Sequence, residues 1–260
     1  MELPLTEQLL QLRRSGRTEA ARALVARALA TRALATRHDP ALALLAWQHE
    51  AFWWQPLAGR RVRLERRGPD DLALVRRCWA DAAFMQRFNR QAGPLPTQDE
   101  ALRDLLRREA AAIPGESGAL HWTIHAQGRT HGFVSVTEIA LAAGRAEFLV
   151  GVVDGCSPWL TAEACHLVLG FLARQARIER LTAHFYPENT AAIAAARTLG
   201  FEVEGVLRGY LRERDGRRSD LVVAGLLLDP AFFERTAGLR RRLLGPAAPS
   251  GNGPEAVAGG

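Results

Sequence analysis

Residues 180–228, RLTAHFYPENTAAIAAARTLGFEVEGVLRGYLRERDGRRSDLVVAGLLL, decide the fold. Leu181, Ala183 and Phe185 alternate with Thr182, His184 and Tyr186, the period of a strand with two unlike faces. Pro187 ends that run, and Asn189 or Thr190 can cap a following helix. Residues 191–199 are rich in alanine, the best helix former, and Gly200 stands where a left-handed residue closes a helix. Residues 201–207 resume a strand. Asp215-Gly216 is a hairpin-type turn ahead of the apolar run 221–228. The order is strand, helix, strand, strand.

Several identities in this stretch go beyond periodicity. Pro187-Glu188-Asn189-Thr190-Ala191 marks the strand-to-helix junction, and Leu199-Gly200-Phe201 follows. Glu204-Gly205, Leu207-Arg208 and Tyr210 come next, then Asp215-Gly216-Arg217 and Asp220. At these residues the chain resembles the GNAT family of acyl-CoA N-acyltransferases, and within it the RimJ/RimL branch that acetylates ribosomal-protein amino termini. The resemblance implies an α/β (α+β) fold: a mostly antiparallel mixed sheet flanked by helices. It also implies acetyl-CoA as acyl donor, a primary amine (a protein N-terminus or small amine) as acceptor, and no metal. Read without it, Asn189 is a helix cap and Gly200 a helix terminator.

With 260 residues, 48% of them hydrophobic and 24% charged, the chain suits a globular protein of one or two domains. Its net charge is +6, and all 34 basic residues are arginine. Such complete arginine usage follows genome composition as readily as function, so charge alone is a poor sign of nucleic-acid binding, although it favours an acidic ligand such as CoA. Cys78, Cys156 and Cys165 lack CxxC spacing, which argues against a disulfide framework and a zinc site and fits a reducing cytoplasm. No apolar run is long enough for a spanning helix or a signal peptide.

In chain order, residues 1–56 read as an all-helical N-terminal module. Its segment 16–24 is similar to the second helix of a tetratricopeptide unit, and a single unit must pack on something else, whether the main domain, a dimer partner or a bound protein. The acyltransferase-like domain is expected at 57–230. A strand around Val62 and Leu64 leads to a helix from Pro69 and a second helix from Thr97. The resemblance places acceptor contacts in the intervening loop, 84–96. Strands at 120–126, 132–139 and 147–153 precede a helix over 157–177. A C-terminal helix is expected at 231–245 and a disordered proline-, glycine- and alanine-rich tail at 246–260. His121, His125 and His131 lie near one turn and read as surface or satisfied histidines.

The helix from Ser157 bears on the cofactor. Family members place glycines ahead of it so that backbone N–H groups can approach the CoA pyrophosphate at a helix N-terminus. The corresponding positions here are Ser157 and Trp159, with Pro158 between them. Ser157, Trp159, Leu160 and Thr161 are thus the candidate phosphate-binding residues, on an anion site altered from the usual pattern. The resemblance makes backbone groups of Val150 and Val152 the pantetheine contacts and Asn189 a side-chain contact. The tyrosine and serine that relatives use toward the thiolate are replaced by Ala196 and Ala192. Tyr210 is then the candidate acid and Glu138 the candidate base. A non-catalytic module that binds acyl-CoA or a protein partner is the alternative.

Overall fold

The computed structural model describes residues 47–245 except 116, 154 and 214, together with residues 8, 11, 12, 17, 20, 21, 23–25, 27 and 44. Most of the expected N-terminal module and all of the 246–260 tail lie outside the described residues. Ala21 and Val25 are buried.

Eight strands form one sheet: β1 (Leu57–Ala58), β2 (Arg63–Arg66), β3 (Ala119–Ala126), β4 (Arg129–Ala140), β5 (Arg145–Val152), β6 (Arg180–Phe185), β7 (Glu202–Arg212) and β8 (Arg218–Leu227). Their spatial order is β1-β2-β3-β4-β5-β6-β8-β7, with every neighbouring pair antiparallel except β5 and β6, which are parallel. A parallel pair needs a crossover, and helix α4 (Pro158–Arg174) supplies it. After β1, the other α-helices among the described residues are α1 (Leu72–Ala80), α2 (Ala82–Phe88), α3 (Asp99–Ala110), α5 (Thr190–Leu199) and α6 (Pro230–Leu244). This is the expected mixed, mainly antiparallel sheet flanked by helices.

Two apolar layers hold it. On one face, Leu160, Ala164, Val168, Leu169 and Leu172 of α4 pack with Trp122, Val134, Val136, Ala146 and Phe148 of the strands, and Phe232 of α6 closes the layer. On the other, Leu74, Val75, Leu102 and Leu106 of α1 and α3 cover Phe133. Because side chains alternate along a strand, Ala146 and Phe148 go to the α4 layer and Glu147 to the opposite face.

Several expectations change in detail. The loop 84–96 begins inside α2: Asp81 caps this short helix directly behind α1, its carboxylate accepting from the Phe84 N–H at 3.0 Å. The helix expected from Thr97 starts at Asp99 behind Gln98, and the one expected to reach 177 stops at Arg174 with Gln175 as C-cap, ahead of Arg177, which is left-handed at φ 54°. The strand expected over 201–207 runs on to Arg212. Residues 47–56, the last of the expected N-terminal module, pack on the sheet domain. Trp53 is 1% exposed inside the α4 layer, its ring 5.4 Å from that of Phe171, and the Trp47 indole N–H donates to the Gln175 carbonyl at 3.2 Å. Trp53→Ala should therefore cost the sheet domain about 3–5 kcal/mol, as for other buried aromatics. Urea unfolding monitored by far-UV circular dichroism measures it, and a loss under about 1 kcal/mol would show that this segment is peripheral.

Candidate functional site

β5 pairs with β4 over a long register from Gly132–Val152 to Ala140–Arg145, and β6 pairs with β8 throughout, from Arg180–Leu227 to Phe185–Val222. With each other, β5 and β6 share three pairs, Arg145–Arg180, Ala146–Leu181 and Glu147–Thr182, and the ladder stops. Beyond Glu147 the strands diverge. The Val153 N–H donates to the His131 carbonyl of β4 at 3.0 Å. By alternation, the backbone groups of Phe148, Val150 and Val152 turn to the opposite side, toward the opening. Sequence reasoning named Val150 and Val152, and the structure places their backbone along this gap.

At the crotch of the gap, on the face away from α4, a polar cluster joins three strands. His184 Nδ1 lies 2.7 Å from Glu147 Oε1, and the Thr137 hydroxyl donates to Glu147 Oε2 at 2.7 Å. The hydrogen bond that His184 donates to Glu147 raises its pKa above the ordinary value against the opposing effect of burial. Burial pushes the Glu147 carboxyl up, but hydrogen bonds from His184 and Thr137 outweigh it, and the net shift is downward. The charge of Glu138 adds to the upward shift of His184. Glu138 itself is exposed and left-handed at φ 47°, at the irregularity between Thr137 and Ala140. It stands beside the pair without joining its hydrogen bonds. Tyr210 is 58% exposed on β7, with β8 and β6 between it and β5. The structure does not bring it to the gap.

Asn189 sits where β6 hands over to α5. Its Oδ1 accepts from the Ala192 N–H at 3.3 Å as the N-cap, and its Nδ2 donates to the Arg87 carbonyl at 3.4 Å. At the start of α4, Ser157 is the N-cap, and its Oγ accepts from the Trp159 N–H at 3.3 Å. The Leu160 and Thr161 N–H groups both donate to the Ser157 carbonyl, at 3.0 and 3.1 Å, and Pro158 has no N–H to give. The first donors of the helix are thus taken up within the turn. Trp159 is 54% exposed, whereas Leu160 belongs to the core.

A cavity of about 940 Å³ opens between α2, the segment after it and the β7–β8 turn, lined by Trp79, Met85, Arg90, Glu188, Glu213 and Asp215. Arg90 organises it. Its guanidinium lies 3.8 Å from the centroid of the Tyr186 ring, pairs with Glu188, and sits 3.7 Å from Glu213. The Arg90 N–H donates to the Tyr186 hydroxyl at 3.0 Å. Tyr186 lies just beyond β6, two residues past His184, and meets the segment that follows α2 through Arg90. Sequence reasoning placed acceptor contacts in 84–96, the segment that holds Arg90, but missed His184, Glu147 and Tyr186. The one available signal was the polar side of the His184/Tyr186 alternation.

Residues 61–202, more than half of the chain, match the family model described as the acetyltransferase (GNAT) domain. Among solved structures, a candidate acetyltransferase from T. thermophilus is 27% identical, with a TM-score of 0.57 over 73% of this chain and 95% of that one. The acetyl transferase of Salmonella typhimurium that modifies the N-terminal serine of ribosomal protein L7/L12 is 16% identical, with a TM-score of 0.58 over 67% of this chain and 100% of that one. Spermidine N-acetyltransferase from Vibrio cholerae, solved with CoA and spermine, is 17% identical, with a TM-score of 0.54 over 65% of this chain and 96% of that one. The chain has no significant match among curated proteins.

Mutual stabilisation in the His184–Glu147 pair has a definite pH signature. A raised histidine pKa contributes stability that is complete below the unfolded value near 6.5 and is lost as pH rises through the folded value. In an NMR titration His184 should titrate above 6.5, and Glu147→Gln should bring it back down. An unchanged midpoint in the variant would mean that the pair is not formed in solution.

Proposed function

Since the chain belongs to the GNAT acetyltransferase family, we propose that it transfers an acetyl group from acetyl-CoA to a primary amine, a protein N-terminus or a small amine. The observation that carries this reading is the seam between β5 and β6: it opens past Glu147–Thr182, and the backbone groups of Val150 and Val152 turn into it. A pantetheine arm laid there would take those groups as a strand would, with the thioester carbonyl accepting from an N–H near Val150. Donors fixed in advance at a developing oxyanion stabilise it without reorganisation. Asn189, at the mouth of the seam, supports the arm where β6 ends.

His184 stands two residues past Thr182, level with this carbonyl, and Glu147 holds its Nδ1. We assign Nε2 as the proton acceptor. The neutral amine attacks the carbonyl carbon, the C–N bond forms as its proton passes to His184, and the C–S bond breaks. The proton then moves from His184 to the departing thiolate, giving an amide and free CoA thiol. Glu147 orients the imidazole and stabilises its charged form. Glu138 acts on the same ring from further out through its charge, a lesser role than the base expected from the sequence. The cavity beside Arg90 is the approach for the acceptor; Glu188 and Glu213 are held there by Arg90 and Asp215 by Arg217.

Thiol release from acetyl-CoA over a panel of amines and N-terminal peptides tests the reading. His184→Ala should lower kcat by about 10²–10⁴-fold, the usual worth of general base catalysis. Activity should rise with pH through the raised His184 pKa, and Glu147→Gln should move that acid limb to lower pH while lowering kcat. Saturable acetyl-CoA binding without thiol release from any acceptor would instead identify a non-catalytic acyl-CoA-binding module, which the internally satisfied donors at the start of α4 favour.

A further inference from the structure

A second cavity, of about 1020 Å³, lies along the edge of the sheet next to the end of β5. It is lined by Arg61, Arg77, Arg129 and His125, and by Val153 and Gly155, which carry the chain from β5 toward α4. These side chains come from four separate places. Arg61 follows β1, Arg77 is in the last turn of α1, His125 is near the end of β3 and Arg129 opens β4. The fold therefore gathers cations that are scattered in the sequence.

Local ion pairs do not spend their charge. Two further arginines of the cavity wall have partners: Arg63 pairs with Glu65 at 2.5 Å, and Arg60 donates to the Arg242 carbonyl at 3.2 Å. Arg61, Arg77 and Arg129 are exposed, and among the described residues no carboxylate pairs with any of them. Two buried carboxylates lie behind the wall: Glu163 accepts from the backbone N–H of Arg61 at 2.8 Å and of Val62 at 3.2 Å, and Asp71 is 4.0 Å from His125 Nε2. Asp154, between the two lining residues of the β5–α4 segment, lies outside the described residues. Three arginines without a carboxylate partner lining one concavity suit an anion with more than one charged oxygen group.

The start of α4 says which anion. There Pro158 lacks an N–H, and those of Trp159, Leu160 and Thr161 are committed within the turn. The helix terminus therefore offers little to a phosphate, while the arginine cavity shares Val153 and Gly155 with the same connection. We propose that this cavity binds the phosphate groups at the nucleotide end of the acyl-CoA donor, with Arg77 and Arg129 as the principal contacts. The inference rests on the acetyl-CoA reading of the seam and adds to it the residues that recognise the donor's charged end.

Calorimetry separates the two. The probes are acetyl-CoA and S-acetylpantetheine, which keeps the thioester arm and lacks the nucleotide. Arg77→Gln/Arg129→Gln alters exposed side chains, and an unchanged thermal midpoint verifies its fold. The double variant should bind acetyl-CoA at least about tenfold more weakly, since hydrogen bonds to charged groups are worth that much each. Its affinity for S-acetylpantetheine should match that of the unaltered protein. Equal acetyl-CoA affinity in the variant and the unaltered protein would overturn the arginine assignment and leave the seam reading standing. Equal weakening toward both probes would also overturn it, because the arginines would then act on the arm or the fold. If the unaltered protein binds neither probe, the donor reading itself fails and the assignment falls with it.

Discussion

A sheet can open between two strands only where each keeps a partner on its other side, because backbone N–H and C=O groups left unpaired in the interior are costly. β5 and β6 meet that condition. β5 stays registered with β4 along its length, β6 stays registered with β8, and the two share only the pairs from Arg145–Arg180 to Glu147–Thr182. The sheet is therefore two half-sheets joined at a short parallel seam. α4 packs beneath it, with Ala146 and Phe148 of β5 and Leu181 and Ala183 of β6 in the same core layer. That shared layer keeps the half-sheets from separating altogether, while the open stretch leaves one row of backbone groups for a guest that can imitate a strand.

The polar cluster at the crotch follows from the same constraint. Glu147 is the last residue of β5 paired with β6, and Thr137 is its register partner on β4. One carboxylate thus receives a hydroxyl from one half-sheet and an imidazole from the other. A half-buried carboxylate with both oxygens engaged is far less costly than a bare one. The arrangement also fixes the ring, since with Nδ1 directed to Glu147 the other nitrogen faces away from the carboxylate. Where the strands begin to separate, the fold thus presents a titratable group whose orientation is set by both sides of the seam.

The helix and strand content was legible because it rests on local chemistry. Asn189 caps α5 through its own side chain, Gly200 ends it at φ 103°, and Asp229 caps α6 by accepting from Phe232. Each is a signal within four residues. The α2 helix escaped because it is short and follows α1 with only Asp81 between them, so the periodicities run together. At the site, Val150 and Val152 were reached through the resemblance, whose strand assignment the register reproduces. The Glu147–His184 pair was not legible, because its partners are 37 residues apart. Nothing local says that β5 and β6 run parallel in the register that brings them together. Tyr210 shows the converse: its place in a recognisable motif said nothing of the two strands that separate it from the gap.

The start of α4 shows how one local choice shifts the burden of recognition. A glycine loop holds an anion with backbone donors that are rigid and lose little entropy on binding. Ser157-Pro158-Trp159 makes a self-contained cap instead: the serine serves the helix, the proline fixes the turn and the donors close on Ser157. Recognition of a charged group next to this turn then falls to side chains. The exposed arginines at hand keep their charge at any working pH, but each must be ordered on contact, and their attraction is screened over about 8–10 Å by ordinary salt. A site built of arginines attracts an anion from a distance and holds it less rigidly than a backbone cradle, so ionic strength has more hold over it than over a site made of backbone hydrogen bonds.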